Sequence, residues 1–180
     1  ALRSAMVQRR FARGALIFSR TEAPEGLYLV RSGSVLFGLD GTNGKRLLLR
    51  IVRANGLFGE AVAYDDRTAQ ASAEARSPLI VDLVPAFRLR ALRREYPEIE
   101  AALGALNASN MRAVLDLLEE QALMSLPERA LRRLAVLCRE ELDDEQSNTT
   151  RRLDVTQAEF ATMLGVSRQA ANGLLKELEA

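Results

Sequence analysis

The sequence predicts an α+β chain: an antiparallel β-barrel of the cupin-like jelly-roll kind, one long helix, and a C-terminal helix-turn-helix. Three observations predict it. Residues 11–84 alternate short β-friendly runs with turn signals. Pro97 opens a helical pattern that meets no breaker except Gly104 before about Met124. Residues 153–180 hold two short amphipathic helical patterns on either side of Gly165.

The β-friendly runs are Ala15–Phe18, Gly26–Val30, Ser34–Leu39, Arg46–Val52 and Leu79–Leu83. Turn signals fall at Arg31-Ser-Gly, Asp40-Gly, Asn43-Gly and Asn55-Gly. Leu27 to Phe37 reads as a hairpin, two apolar runs around a tight glycine turn. Several short strands at this spacing suit an antiparallel barrel or sandwich.

After Pro85 the texture becomes helical. Phe87–Tyr96 suits a short helix ended by Pro97. Pro97, Glu98 and Glu100 then open the long helix, since proline is tolerated in a first turn and acids there oppose the helix dipole. Its apolar positions include Leu103, Leu106, Met111, Val114, Leu115, Leu117, Leu118, Ala122, Leu123 and Met124. That stripe is wider than one packing face needs. A helix of ~27 residues would be roughly 40 Å long, more than a small barrel can cover. The spare apolar surface predicts a partner helix from a second subunit; a helix buried wholly within one chain is the alternative. Ser125-Leu-Pro-Glu starts a further helix, with a capping serine and an early proline, running to about Glu141. Asp143 to Arg152 is polar and reads as a loop or hairpin tip.

Composition excludes several chemistries. The chain has 180 residues, 48% of them hydrophobic, so a sizeable core can form. No apolar run approaches the roughly 20 residues of a membrane-spanning helix, and the N-terminus lacks a signal-like apolar core, so a cytoplasmic protein without membrane contact is expected. Cys138 is the only cysteine and there is no histidine. Intramolecular disulfides, cysteine- or histidine-based metal sites, histidine-ligated haem and histidine general bases are therefore not expected, and no cofactor is required. Cys138 itself lies at an apolar helical position and reads as a small core residue rather than a reactive thiol. An acid/base cluster of Glu60, Asp65 and Asp66 is conceivable, but Asp65-Asp-Arg reads as a turn and no nucleophile accompanies it. An enzyme is not expected.

The strongest motif spans Val155 to Leu178. Thr156 and Glu159, three residues apart, form a capping box. Phe160, Met163 and Leu164 supply the inner face of the first helix, with Ala161 small enough for close packing. Gly165 supplies the tight turn and Val166 plugs it into the core. Ser167 caps a second helix whose inner face is Ala170 or Ala171, Leu174, Leu175 and Leu178. Arg168, Gln169, Asn172, Gly173 and Lys176 are left facing outward. Arginine, glutamine and asparagine can bond two base-edge atoms in a major groove, and capped helix N-termini bind phosphate. The expected DNA contacts are thus Thr156, Gln157, Ser167, Arg168, Gln169, Asn172 and Lys176. Charge runs against this, since Ser125–Ala180 holds 8 basic and 10 acidic residues, a net −2. It segregates, however: Thr162 to Lys176 contains Arg168, Lys176 and no acid.

A second, weaker motif is Leu57-Phe-Gly-Glu-Ala, placed after a predicted strand. Together with Phe11-Ala-Arg-Gly, Gly26-Leu-Tyr-Leu-Val-Arg-Ser-Gly, Ser125-Leu-Pro-Glu-Arg and residues 153–178, it resembles the CRP/FNR family of bacterial transcription regulators. The resemblance covers nearly the whole chain. It implies a cyclic-nucleotide-binding-type barrel at 1–97, a dimerisation helix at 98–124 and a helix-turn-helix DNA-binding domain of the winged type at 125–180, with the wing absent from these residues. It further implies a homodimer on a palindromic site in double-stranded DNA, a small effector in the barrel, and contact with RNA polymerase if the protein activates. The effector pocket carried over by resemblance comprises Gly59, Glu60, Arg67, Thr68, Ala69, Gln70, Val114 and Leu115.

The chain departs from the family at that pocket. Members that bind cyclic AMP hold its phosphate with an Arg-Ser pair, which falls here on Ala69-Gln70. A neutral amide replaces a charged anion partner poorly. Arg67-Thr68 could substitute only with a shifted loop. The adenine-reading Thr-Ser pair falls near Val114-Leu115, which offers no hydrogen bonds. Cyclic AMP is therefore not expected, nor is haem or an iron–sulfur cluster. The recognition helix departs too, keeping Arg168 but placing Gln169 and Gly173 where members reading TGTGA-type half-sites carry Glu and Arg. The competing function is a ligand-binding or interaction module that has lost transcriptional regulation.

Overall fold

The computed structural model describes residues 3–41, 45–65, 67–140 and 153–179. Eight strands and five α-helices follow in order: β1 (Val7–Phe11), β2 (Leu16–Phe18), β3 (Gly26–Ser32), β4 (Val35–Asp40), β5 (Arg46–Val52), β6 (Leu57–Phe58), β7 (Ser72–Ala75), β8 (Leu79–Pro85), α1 (Ala86–Glu95), α2 (Pro97–Leu123), α3 (Leu126–Glu140), α4 (Gln157–Leu164) and α5 (Arg168–Glu179). A short 3₁₀ turn, Glu60–Ala63, follows β6.

The strands form two four-stranded sheets, ordered β1-β8-β3-β6 and β2-β7-β4-β5. The predicted antiparallel jelly-roll class holds, as a sandwich; a closed barrel is not seen among the described residues. One core joins the sheets. Tyr28, Val30, Phe58, Leu79, Val81 and Leu83 from the first pack with Phe18, Val35, Val52, Ala73 and Ala75 from the second. Alternation explains the choice: in β8, Leu79, Val81 and Leu83 point inward while Ile80 and Asp82 point away. Tyr28 stacks on Phe58, centroids 4.8 Å apart, and burial is the chief cause that pushes its hydroxyl up to about 12. It stays neutral and acts as an aromatic wall.

The helices run where the sequence placed them, to within two residues at each described end. A second core of Ala5, Leu27, Val62, Ala63, Val84, Leu89 and Leu103 fastens α1 and the start of α2 to the sandwich. The chain divides into two compact units, residues 1–45 with 49–113, and residues 46–48 with 114–180, so the boundary falls inside α2. Beyond that boundary, Glu120 is buried and receives Arg133 Nη2 at 2.5 Å. Arg132 adds contacts to Asp116 and Glu119 at 3.4 and 3.0 Å, tying α3 to the end of α2. The polar loop expected at Asp143–Arg152 lies outside the described residues.

Cys138 is free and half-buried on α3. Among the described residues, no helix is long and apolar enough to cross a membrane.

Candidate functional site

The helix-turn-helix is built as its residues dictate. Thr156 has extended backbone and its Oγ1 accepts from Glu159 N at 3.2 Å, while Thr156 N donates to the Glu159 carboxylate at 2.8 Å. Both halves of the capping box are therefore made. α4 ends at Gly165, which adopts φ +69°, and Val166 N donates to Ala161 O at 3.0 Å. A left-handed residue there lets the chain reverse in one step. Ser167 Oγ then accepts from Ala170 N at 3.2 Å and caps α5.

Packing fixes which face of α5 is free. Ala171 and Leu174 are buried with Phe160, Ala161, Met163 and Leu164. Ala170 is exposed, so Ala171 is the inward alanine, and Leu178 is 39% exposed rather than part of the inner face. The reason is position along the helix: Leu178 shares the face of Ala171, Leu174 and Leu175 by spacing but lies at the far end of α5. Arg168, Gln169, Asn172, Gly173 and Lys176 line one open cleft of about 530 Å³. Arg168, Gln169 and Lys176 are exposed. Asn172 is half-buried, its side-chain oxygen covered and without a hydrogen-bond partner. Gly173 faces open space, with nothing within 4 Å of where a Cβ would be. The surface therefore combines a cation at each end with two amides and a bare backbone between them.

The residues expected around an effector do not all converge. Gly59 and Glu60 are buried at the end of β6. Gly59 has φ +84°, and a Cβ there would meet Gly26 O at 2.5 Å. Glu60 is 9% exposed, and its carboxylate accepts a hydrogen bond from Asn110 Nδ2. Arg67, by contrast, is 83% exposed and pairs with Asp65 at 3.7 Å in an outward turn. Thr68 and Gln70 are exposed, and Ala69 is half-buried, its N–H donating to Glu22 O at 2.8 Å. Val114 and Leu115 are exposed on α2 past the unit boundary.

Sequence reasoning missed two residues of the cluster that holds Glu60, one bonded to it directly and one through the first. Asn110 is one. The other is Arg50, whose Nη1 donates to Asn110 Oδ1 at 3.2 Å and whose guanidinium carbon lies 5.3 Å from the Phe37 ring centroid. The signal was present for Arg50: it shares the inward parity of Leu48 and Val52 on β5. Nothing in the sequence distinguishes Asn110 from Asn107 one helical turn earlier.

A two-sheet sandwich of this topology, followed by a long helix and a capped helix-turn-helix, is the architecture of a cyclic-nucleotide-binding-type domain joined to a helix-turn-helix. Residues 8–96 match the family described as the Cyclic nucleotide-binding domain. Over 167 residues, 93% of this chain and 75% of the relative, the sequence is 27% identical to the CRP-like cAMP-activated global transcriptional regulator of Mycobacterium tuberculosis. It is 22% identical to the cAMP-activated global transcriptional regulator Vfr of Pseudomonas aeruginosa, covering 96% of this chain and 82% of that one. Among solved structures, the c-di-GMP responsive global regulator CLP of Xanthomonas campestris is similar in fold, with TM-score 0.83, 22% identity, and 98% and 87% of the two chains covered. FixK2 from Bradyrhizobium japonicum matches with TM-score 0.83 and 18% identity, covering 97% and 84%. The chain thus carries a cyclic nucleotide-binding domain and is similar over nearly its whole length to CRP-type bacterial transcription regulators.

Proposed function

We propose that this chain is a DNA-binding transcription regulator that acts as a cytoplasmic homodimer on a palindromic site. α5 is its reading helix and 98–124 its dimerisation helix. The observation that carries this reading is the free face of α5, where Arg168, Gln169, Asn172, Gly173 and Lys176 line one cleft behind two made caps. Thr156, Gln157 and Ser167 stand at the two helix starts, where hydroxyl and N–H groups suit phosphate. Arg168 and Gln169 are the base readers, and Asn172 contributes once its side chain turns outward. The exposed Met111, Val114, Leu115 and Leu118 on α2 support a second copy as partner. RNA polymerase is a further partner if the protein activates. Nothing in this arrangement calls for an enzymatic step.

The sandwich, residues 1–97, is the sensing part, and a small molecule other than cyclic AMP, haem or an iron–sulfur cluster sets DNA affinity. The two curated relatives are named as cAMP-activated. Here the position expected to hold a cyclic phosphate offers Ala69 and Gln70, and the neighbouring Arg67 turns outward to Asp65. Without a charged partner the phosphate loses its strongest contacts. Calorimetry of the purified protein should show no cyclic AMP binding at micromolar concentration; saturable heat would overturn this part.

The central test is DNA binding. Selection from random duplexes with the full chain should return a two-fold-symmetric site with half-sites about one helical turn apart. Arg168→Ala should weaken that site by ~1–3 kcal/mol per half-site, roughly 5- to 150-fold, while dimer mass is unchanged. Equal affinity in the variant would remove Arg168 from the interface, and failure to enrich any site would favour an interaction module instead.

A further inference from the structure

One charged cluster in the sandwich unit is internally matched in an unusual order. Arg50 comes from β5, Glu60 from the 3₁₀ turn after β6, and Asn110 from α2. Arg50 Nη1 donates to Asn110 Oδ1 at 3.2 Å, and its Nη2 donates to Leu57 O at 3.4 Å. Asn110 Nδ2 donates to Glu60 Oε1. A neutral amide thus stands between a cation and an anion, its carbonyl toward the first and its NH₂ toward the second. The reverse orientation would set carbonyl against carboxylate, so the two charges together fix the amide. Burial makes the match matter: Glu60 is 9% exposed, and an unmatched buried carboxylate is costly. Asn110 lies three residues before Ala113, where the first compact unit ends within α2.

We propose that Asn110 is a positioning residue that locks α2 onto the sandwich. Its amide satisfies the buried Glu60 carboxylate and the part-buried Arg50 guanidinium at once. The proposal rests on the reading of the chain as a regulator controlled from its sandwich, and it adds that a side chain absent from the expected pocket holds α2 there.

The test uses the full chain and the DNA site selected with it. Wild-type protein sets the reference affinity and exchange rates. Asn110→Ala should lose at least about tenfold in affinity and speed amide hydrogen exchange over residues 106–113, with dimer mass retained. Asn110→Asp places a second carboxylate against Glu60, with Arg50 the cation facing the pair. One of the two acids must then hold a proton, so binding by this variant should fall as pH rises from about 5.5 to 8. The double variant Glu60→Gln/Asn110→Asp restores donor to acceptor throughout and should return to pH-independent binding. A merely structural role would not give that rescue. The idea is overturned if Asn110→Ala and Asn110→Asp keep wild-type affinity and exchange, or if the double variant is no better than Asn110→Asp. Should the wild type bind no DNA, the exchange measurement alone decides whether Asn110 holds α2.

Discussion

Single residues carry the geometry of both sites. Gly59 is required twice over, by its φ of +84° and by the 2.5 Å approach a Cβ would make to Gly26 O. Gly59→Ala should therefore cost at least ~1–3 kcal/mol in urea denaturation, and an unchanged midpoint would contradict the strain argument. Glu128 is a second case. Ser125 donates to its carboxylate from both Oγ and backbone N at 2.7 Å, and these bonds hold its pKa below the ordinary carboxylate value. A depressed folded-state value means the stabilisation is present above the unfolded-state pKa and disappears as pH falls through the lowered one. Ser125→Ala should shift the Glu128 titration midpoint upward in carboxylate NMR, and should flatten the acid limb of the melting curve. Gly165 and Gly173 show that one residue type does different jobs. The first has φ +69° and makes the turn. The second sits in α5 facing open space, where its consequence is a missing side chain in the reading face.

At the scale of elements, agreement between sequence and structure follows how strongly local rules constrain each segment. β5 spans Arg46–Val52 as predicted, and α2 spans Pro97–Leu123. Both have long uninterrupted patterns with clear boundaries. β1, β6 and β7 went unread. β7 is Ser-Ala-Glu-Ala, with poor strand propensity, and becomes a strand because Ala73 and Ala75 fit beneath the aromatic rings of the core. β1 is exposed along most of its length and exists through its pairing with β8, from Val7↔Leu83 to Phe11↔Leu79. α2 has two faces. Leu103 is buried, while Met111, Val114, Leu115 and Leu118 form an exposed stripe at three- and four-residue spacing. Leu118→Glu should convert the protein to a monomer in sedimentation with its helix content retained, and a surviving dimer would place the interface elsewhere.

For the whole molecule, the charge distribution decides how DNA affinity must arise. The unit containing the sandwich carries 16 Lys and Arg against 11 Asp and Glu, a net +5, whereas the reader unit carries 9 against 13, a net −4. A unit of that sign lacks a general attraction for phosphate, so in the proposed dimer the two basic residues on the free face of each α5 act as a matched pair. The logarithm of affinity should then fall with the logarithm of salt with a slope no steeper than about −4, since each phosphate contact contributes about −0.9. A slope near −8 would mean that much more of the surface, including the positive unit, touches DNA.

The sequence by itself determined the order of sandwich, long helix and helix-turn-helix, the caps at Thr156, Ser167 and Ser125, and the outward polar face of α5, because caps, turns and amphipathic stripes depend on residues close in the chain. The tertiary structure decided the meeting of Arg50, Asn110 and Glu60, and turned Arg67 outward to Asp65. Glu60 and Asn110 lie 50 residues apart, and their contact follows from how α2 packs on the sandwich, a property of summed burial that no local pattern encodes.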